Sequence, residues 1–215
     1  MPTVTATDRE DSALRSGAIN PRTAEDFEGS YTTTPAWDIG RPQKCFQALA
    51  DSGVLAGKVL DVGCGTGEHA LLAASLGFDS TGVDLAQLAI ASARSKAAAR
   101  GLAARFEVCS ALELASLGET YDTALDSGLF HVLGDADRIA FVASLRAVMQ
   151  PGGMFYLLCF NDLQPGQWGP RRVSQDEIRA VFGAGWHVVS IEPTKFELRT
   201  APQGAQAWLA CIAAA

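Results

Sequence analysis

The chain has 215 residues, 48% of them apolar, enough to bury one substantial core and too few to suggest two large ones. Its 24 acidic residues against 17 Lys plus Arg leave a net charge of −7, the wrong sign for affinity gained by neutralising phosphates, so nucleic acid is not an expected partner. The five cysteines (Cys45, Cys64, Cys109, Cys159, Cys211) are odd in number and scattered. They lack the spacing of a zinc site or disulfide scaffold, so no metal and a reduced, cytoplasmic setting are expected. No apolar run reaches transmembrane length and the polar, acidic opening does not resemble a signal peptide, so no membrane association is expected.

Residues 1–30 mix small, polar and charged types without sustained periodicity and read as a flexible arm ahead of one domain over 31–215. From about residue 43 short apolar runs alternate with helical stretches, the pattern of a mostly parallel sheet. KVLDV (58–62) is the first strand, ending in a glycine turn, and EHALLAASL supplies the next helix. STGVD (80–84) is the second strand, followed by an alanine-rich helix that stops at Gly101. RFEVC (105–109) and YDTALD (121–126) are short enough for buried parallel strands. A helix from Asp135 to Met149 closes at PGG and is followed by the apolar strand MFYLLCF. NDLQPGQWGPRRVS has two proline-glycine breaks and no period, and reads as a long loop. Ser174 with Glu177 forms the pattern of a capping box that opens the last helix. Two extended runs, WHVVSIEPTKFELR and AQAWLACIA, then pair antiparallel at the sheet edge. The expected fold is α/β: a doubly wound, Rossmann-like, seven-stranded sheet with an antiparallel C-terminal pair.

VLDVGCGTG puts Gly63, Gly65 and Gly67 between a strand and a helix, where backbone N–H groups and the helix N-terminus meet a ligand closely. A dinucleotide fingerprint wants a sixth-position glycine, and that position here is Glu68, which counts against NAD. Asp61, two residues before the first glycine, suits a cationic amino acid moiety better than a pyrophosphate. Asp84 ends the second strand, where a carboxylate can accept hydrogen bonds from both ribose hydroxyls.

On these residues the chain resembles the class I S-adenosylmethionine (SAM)-dependent methyltransferases, in which E/DxGxGxG follows the first strand and an acid ends the second. The resemblance covers roughly 37–212 and implies SAM as cofactor. It implies that Asp61 holds the methionine amino group, that Gly63, Cys64, Gly65 and Gly67 cradle the cofactor, and that Asp84 and Leu85 meet the ribose end. Many members carry an acid after the third strand; Ser110, Ala111 and Leu112 stand here instead, leaving adenine to backbone N–H groups, apolar contacts and Ser110. PAWDIGRPQ (35–43), DSGLFHVL (126–133) and GAQAWLA are similar to a small-molecule branch containing thiopurine, thiol and halide methyltransferases and mycobacterial enzymes acting on heterocycles. That likeness implies that Trp37 covers the cofactor and that Ser127, Gly128, Phe130 and His131 lie beside the methyl group.

The expected reaction is methyl transfer to sulfur, oxygen or nitrogen of a small aromatic or heterocyclic molecule. A thiol, halide or metalloid methyltransferase and a non-catalytic SAM-binding protein are the alternatives. Methyl transfer requires alignment of the nucleophile and exclusion of water, with a base needed only for some acceptors. His131 is the candidate base, or else a hydrogen-bonded residue that orients its loop. Tyr31, Phe130 and Trp168 are candidate walls for a ring, or ordinary packing. Arg171 and its neighbour Arg172 either meet an anionic substrate or remain solvated loop charges. His69 and His187 receive no role.

Overall fold

The computed structural model describes residues 23–215, so most of the span read as an arm lies outside it. Its end, however, is helical: Thr23 and Asp26 form a reciprocal capping box that starts α1 (Ala24–Ser30). α1 is seated by the Glu28 carboxylate, which accepts the Leu88 N–H at 3.3 Å. α2 (Lys44–Asp51) buries Phe46 and Ala50, one turn apart, as its inward stripe.

The remaining elements follow in βα order: β1 (Val59–Val62), α3 (Glu68–Ser75), β2 (Ser80–Asp84), α4 (Gln87–Arg100), β3 (Ala104–Val108) and β4 (Tyr121–Ser127). Then come α5 (Asp135–Val148), β5 (Met149–Phe160), α6 (Gln175–Val181), β6 (Trp186–Leu198) and β7 (Ala201–Ala214). Short 3-10 turns at Leu114–Leu117 and Phe130–Val132 flank β4. The strand order is β3-β2-β1-β4-β5-β7-β6, with β1 to β5 parallel and β7 antiparallel to both β5 and β6. The expected doubly wound sheet and its antiparallel C-terminal pair are therefore present. Gly101 ends α4 at φ +64°, and Ser174 and Glu177 cap α6 reciprocally, as the sequence implies.

β5 begins earlier than its apolar run: PGG lies within the strand, where the register against β4 shifts between Tyr121↔Met149 and Thr123↔Met154. Gly152, at φ +79°, absorbs the excess residues.

The sheet is covered on both faces. On one, Leu60, Val62 and Phe155 pack with Phe141 and Leu145 of α5 and with Ile178 and Phe182 at α6. On the other, Phe46 of α2 and Ala73 of α3 cover Val59, Leu125 and Leu158, while α3 and α4 enclose Phe106. The strand order reverses between β1 and β4, so their carboxyl ends open the crevice at which ligands of such sheets bind.

Phe155 lies at the centre of the first core, with Phe141, Phe182 and Trp186 rings at 6.1, 5.5 and 6.4 Å. Phe155→Ala is expected to cost about 3–5 kcal/mol, read as a lower denaturant midpoint with an unchanged folded circular dichroism spectrum.

Candidate active site

At the carboxyl end of β1 the three loop glycines take φ +67°, +52° and +86°, a region closed to most side chains. Their surroundings are equally restrictive. A Cβ would stand 2.9 Å from Leu129 at Gly63, 2.7 Å from the Tyr31 hydroxyl at Gly65 and 2.6 Å from the Phe106 ring at Gly67. Cys64 donates its N–H to Val83 O and turns its side chain into the α3–α4 core, so it offers the crevice only backbone.

Asp61 projects beneath the start of α3, where Oδ2 accepts the Ala70 N–H at 3.1 Å and the buried Oδ1 has no partner. Burial pushes its carboxyl up to about 7, against the Ala70 bond and with help from Asp126 and Asp84. His69 is held neutral by burial, its pKa lowered to about 4, and its Nδ1 stands 3.9 Å from Asp61. Its Nε2 accepts the Gln43 N–H at 3.2 Å.

Asp84 bonds the glycine loop to its own turn: Oδ2 accepts from Gly65 N at 2.8 Å and Oδ1 from Ala86 N at 2.9 Å. Each oxygen keeps a further lone pair. Leu85 follows with its side chain exposed. After β3, Ser110 Oγ accepts the Leu112 N–H at 3.2 Å, so that donor is already engaged while the Ser110 hydroxyl hydrogen is not fixed by this bond. A cavity of about 400 Å³ runs from Ser110 down β3 to Arg105 and Glu119, away from the carboxyl edge.

Residues 31–43 form a strap over the loop. Trp37 Nε1 donates to the Tyr31 hydroxyl at 3.2 Å, with the rings edge to face at 6.3 Å. Tyr31, expected as a substrate wall, thus joins Trp37 against Gly65, where burial and then Asp84 raise its phenol above the ordinary range. Thr66 donates to Asp38 at 3.0 Å and accepts from Lys96 at 2.6 Å; Lys96 also reaches Glu68 at 2.8 Å. Arg100 meets the same carboxylate at 2.8 Å. Burial pushes the Glu68 carboxyl up, but Arg100 and Lys96 together outweigh it and hold it below its usual range. At the other end Arg41 pairs with Glu197 at 2.8 Å, and the Gln43 amide bonds both backbone groups of Glu197. Asp38, Thr66, Lys96 and Glu197 carried no recognisable signal in the sequence because their partners lie on distant elements.

β4 ends in a turn built on buried Asp126, whose oxygens accept from Leu129 N at 2.7 Å and Phe130 N at 2.9 Å. Ser127 closes the strand opposite Leu158, and Gly128 turns at φ +91°. Phe130, expected as a substrate wall, is placed in the core. Its ring is fully buried against Phe141 and Phe182, with the Arg138 guanidinium 4.5 Å above it. His131, buried beside Phe160 and Phe196 at 5.0 and 5.7 Å, accepts the Phe160 N–H through Nδ1 at 2.9 Å. Burial, then Arg138 and Arg172, lower its pKa to about 3, so the ring is neutral near pH 7.

Trp168 stands edge-on to Phe160 at 5.8 Å and is exposed on its outer side, so Trp168, Phe160 and Phe196 form one aromatic cluster with His131, in which Phe160, Phe196 and His131 are buried. Phe160 and Phe196 lie in runs that the sequence marks only as strands. Arg171 does not join this cluster: it pairs with Asp135 and Glu177, fastening the loop to α5 and α6. Arg172 is spent on the carbonyls of its own loop, bonding Trp168 O at 2.7 Å. Among the described residues there is no cluster of acids, histidines and cysteines fit to hold a metal, and no helix is long and apolar enough to cross a membrane.

Comparison with known proteins agrees with this geometry. The methyltransferase domain family matches residues 59–153. A 2-heptyl-1-hydroxyquinolin-4(1H)-one methyltransferase from Mycobacteroides abscessus is 33% identical over 79% of this chain and 79% of its own. A structure solved for conversion of a disulfide bond into a thioacetal group during echinomycin biosynthesis is 34% identical, with a TM-score of 0.81 over 89% of this chain and 93% of the other. The glycopeptide N-methyltransferase MtfA shares the fold, at 18% identity and a TM-score of 0.63 over 81% and 97% of the two chains. The chain belongs to the class I SAM-dependent methyltransferases.

The unpartnered Asp61 Oδ1 fits the amino group of such a cofactor. Because burial raises this carboxyl to about 7, it holds its proton in the folded chain below that pH and becomes an anion above it. SAM affinity is therefore expected to weaken about tenfold between pH 8 and pH 6, and Asp61→Asn to bind weakly with that dependence abolished, both read by calorimetric titration.

Proposed function

We propose that this methyltransferase transfers a methyl group from SAM to sulfur, oxygen or nitrogen of a small aromatic or heterocyclic molecule. The observation that carries the reading is the adjacency of two differently built groups of residues at one sheet edge. One is the glycine loop with Asp61 and Asp84; the other is the aromatic cluster of Phe160, Phe196 and Trp168 around His131. Leu129, packed against Gly63, joins them across the switch between β1 and β4.

In this reading Asp61 Oδ1 takes the methionine amino group and the spare lone pairs of Asp84 take the ribose hydroxyls. Exposed Leu85 lies at the ribose end and Ser110, the Ala111 backbone and Leu112 meet adenine, while Trp37 and Tyr31 close over the loop and keep water out. Bound SAM supplies an activated methyl group: the acceptor's lone pair bonds to its carbon as the carbon–sulfur bond breaks, and that electron pair stays on sulfur. Flat walls at the acceptor side favour a ring, which buries apolar area at little entropic cost. The relative from Mycobacteroides abscessus, named for methylating a hydroxyquinolone, supports a heterocycle.

The test is calorimetric titration with SAM, S-adenosylhomocysteine and NAD, followed by transfer of labelled methyl across aromatic thiols, phenols, N-hydroxy heterocycles, aliphatic thiols and halides. Binding of the first two ligands with turnover on ring acceptors is expected. Turnover confined to halides and aliphatic thiols overturns the ring reading, and failure to bind SAM overturns the whole.

A further inference from the structure

The aromatic cluster contains one polar ring, His131, with a nitrogen that has no hydrogen-bond partner among the described residues. His131 Nδ1 accepts a hydrogen bond from Phe160 N, and a backbone N–H can only donate, so Nδ1 carries its lone pair and the neutral ring bears its proton on Nε2. A doubly protonated ring would set two N–H groups against each other at 2.9 Å. No described residue accepts from Nε2. It lies against Gly128, where a Cβ would stand 3.1 Å from it and 3.0 Å from the Phe196 ring, so only glycine lets the ring take this position. The ring is clamped between Phe160 and Phe196, and its turn is fixed from below by Arg138 Nε on Phe130 O at 3.1 Å.

The charges around this ring are uneven. Arg138 on α5, which pairs with Glu177 at 3.5 Å, and Arg172 on the loop after β5, which bonds the carbonyls of its own loop, are the cations that bear on it. Asp126, at the end of β4, is bonded to the backbone of the same turn and is raised to about 7 by burial. The neighbours from β5 and β6 are Phe160 and Phe196, which carry no charge. Aromatic rings, a fixed N–H donor and a local excess of positive charge together favour an anion beside Nε2 over a neutral acid that must give up a proton there.

Resting on the methyl-transfer reading above, we propose that His131 binds the acceptor through Nε2–H as a hydrogen-bond donor, and that the enzyme selects ring acceptors that have already lost their proton to water. The substrate class is thus acidic hydroxy- or mercapto-heterocycles and acidic phenols, whose pKa lies near or below the working pH. The histidine orients the anion and takes no proton from it; the acceptor's proton leaves for solvent before the acceptor enters.

The experiment has one readout on the ring itself and one on turnover. Long-range 15N spectra of the histidine-labelled protein, with His131 assigned from His131→Gln, are expected to show the Nε2–H tautomer unchanged from about pH 8 to about pH 5. An Nδ1–H tautomer, or titration within that range, overturns the proposal whether or not the enzyme turns over. For kcat/KM against pH over phenols and N-hydroxy heterocycles of graded acidity, the acidic limb is expected to move with the pKa of each acceptor. His131→Gln, which keeps an amide donor, is expected to stay within about tenfold of the native enzyme and His131→Phe to lose about a hundredfold, chiefly in KM. An acidic limb fixed at one pH for all acceptors and absent from His131→Gln overturns the donor role. Absence of transfer to every acceptor despite SAM binding would end the methyl-transfer reading instead, with the tautomer decided independently by the spectra.

Discussion

Between the end of β1 and the start of α3 lie residues 63–67, three of them glycines at positive φ. A chain that reverses this sharply leaves its N–H groups at the head of α3, and the side chains around it have closed in to the limit that glycine permits. Phe106 fills the space behind Gly67, Leu129 backs onto Gly63, and Tyr31 rests on Gly65. The loop thus couples the β3 side of the crevice, the acceptor turn after β4 and the strap before α2. A methyl group at Gly63 would push on the turn that carries His131, and one at Gly65 would lift Tyr31 and Trp37.

The strap is held by polar bonds at both ends. Asp38, Thr66, Lys96 and Glu68 link it to the helices behind the loop, and Glu197 links it to β6. Glu68 occupies the position at which a dinucleotide-binding loop would need glycine, and the structure shows its positive use: a buried carboxylate shared by Lys96 and Arg100 of α4. Where a dinucleotide fold brings helix and strand close through a missing side chain, this one ties two helices together with charge.

Much of the fold was legible because its cues are local. Strands of four to seven residues between glycine turns, Gly101 after an alanine-rich helix and the Ser174–Glu177 box each act within a few residues. α1 escaped because its box uses Asp26 where the usual pattern has Glu or Gln and because it buries no side chain. α2 escaped because Phe46 and Ala50 are too small a stripe to establish a period. At the candidate site, the meeting of Asp61, Asp84 and the glycines at one loop follows from their order along the chain. Directions of side chains do not: Phe130 and His131 are adjacent on one 3-10 turn whose first N–H groups bond Asp126, yet one ring packs against α5 and α6 and the other against Phe160 and Phe196. Arg171 read as available to substrate because Asp135 and Glu177, which consume it, come from two other elements.

The aromatic cluster draws its rings from three segments anchored separately: Phe160 at the end of β5, Phe196 on β6, and Trp168 on a loop stapled to its own carbonyls by Arg172. The glycine loop contributes no ring to it. On the methyl-transfer reading proposed above, sequence change can accordingly reshape the acceptor side one segment at a time without disturbing the glycine loop opposite.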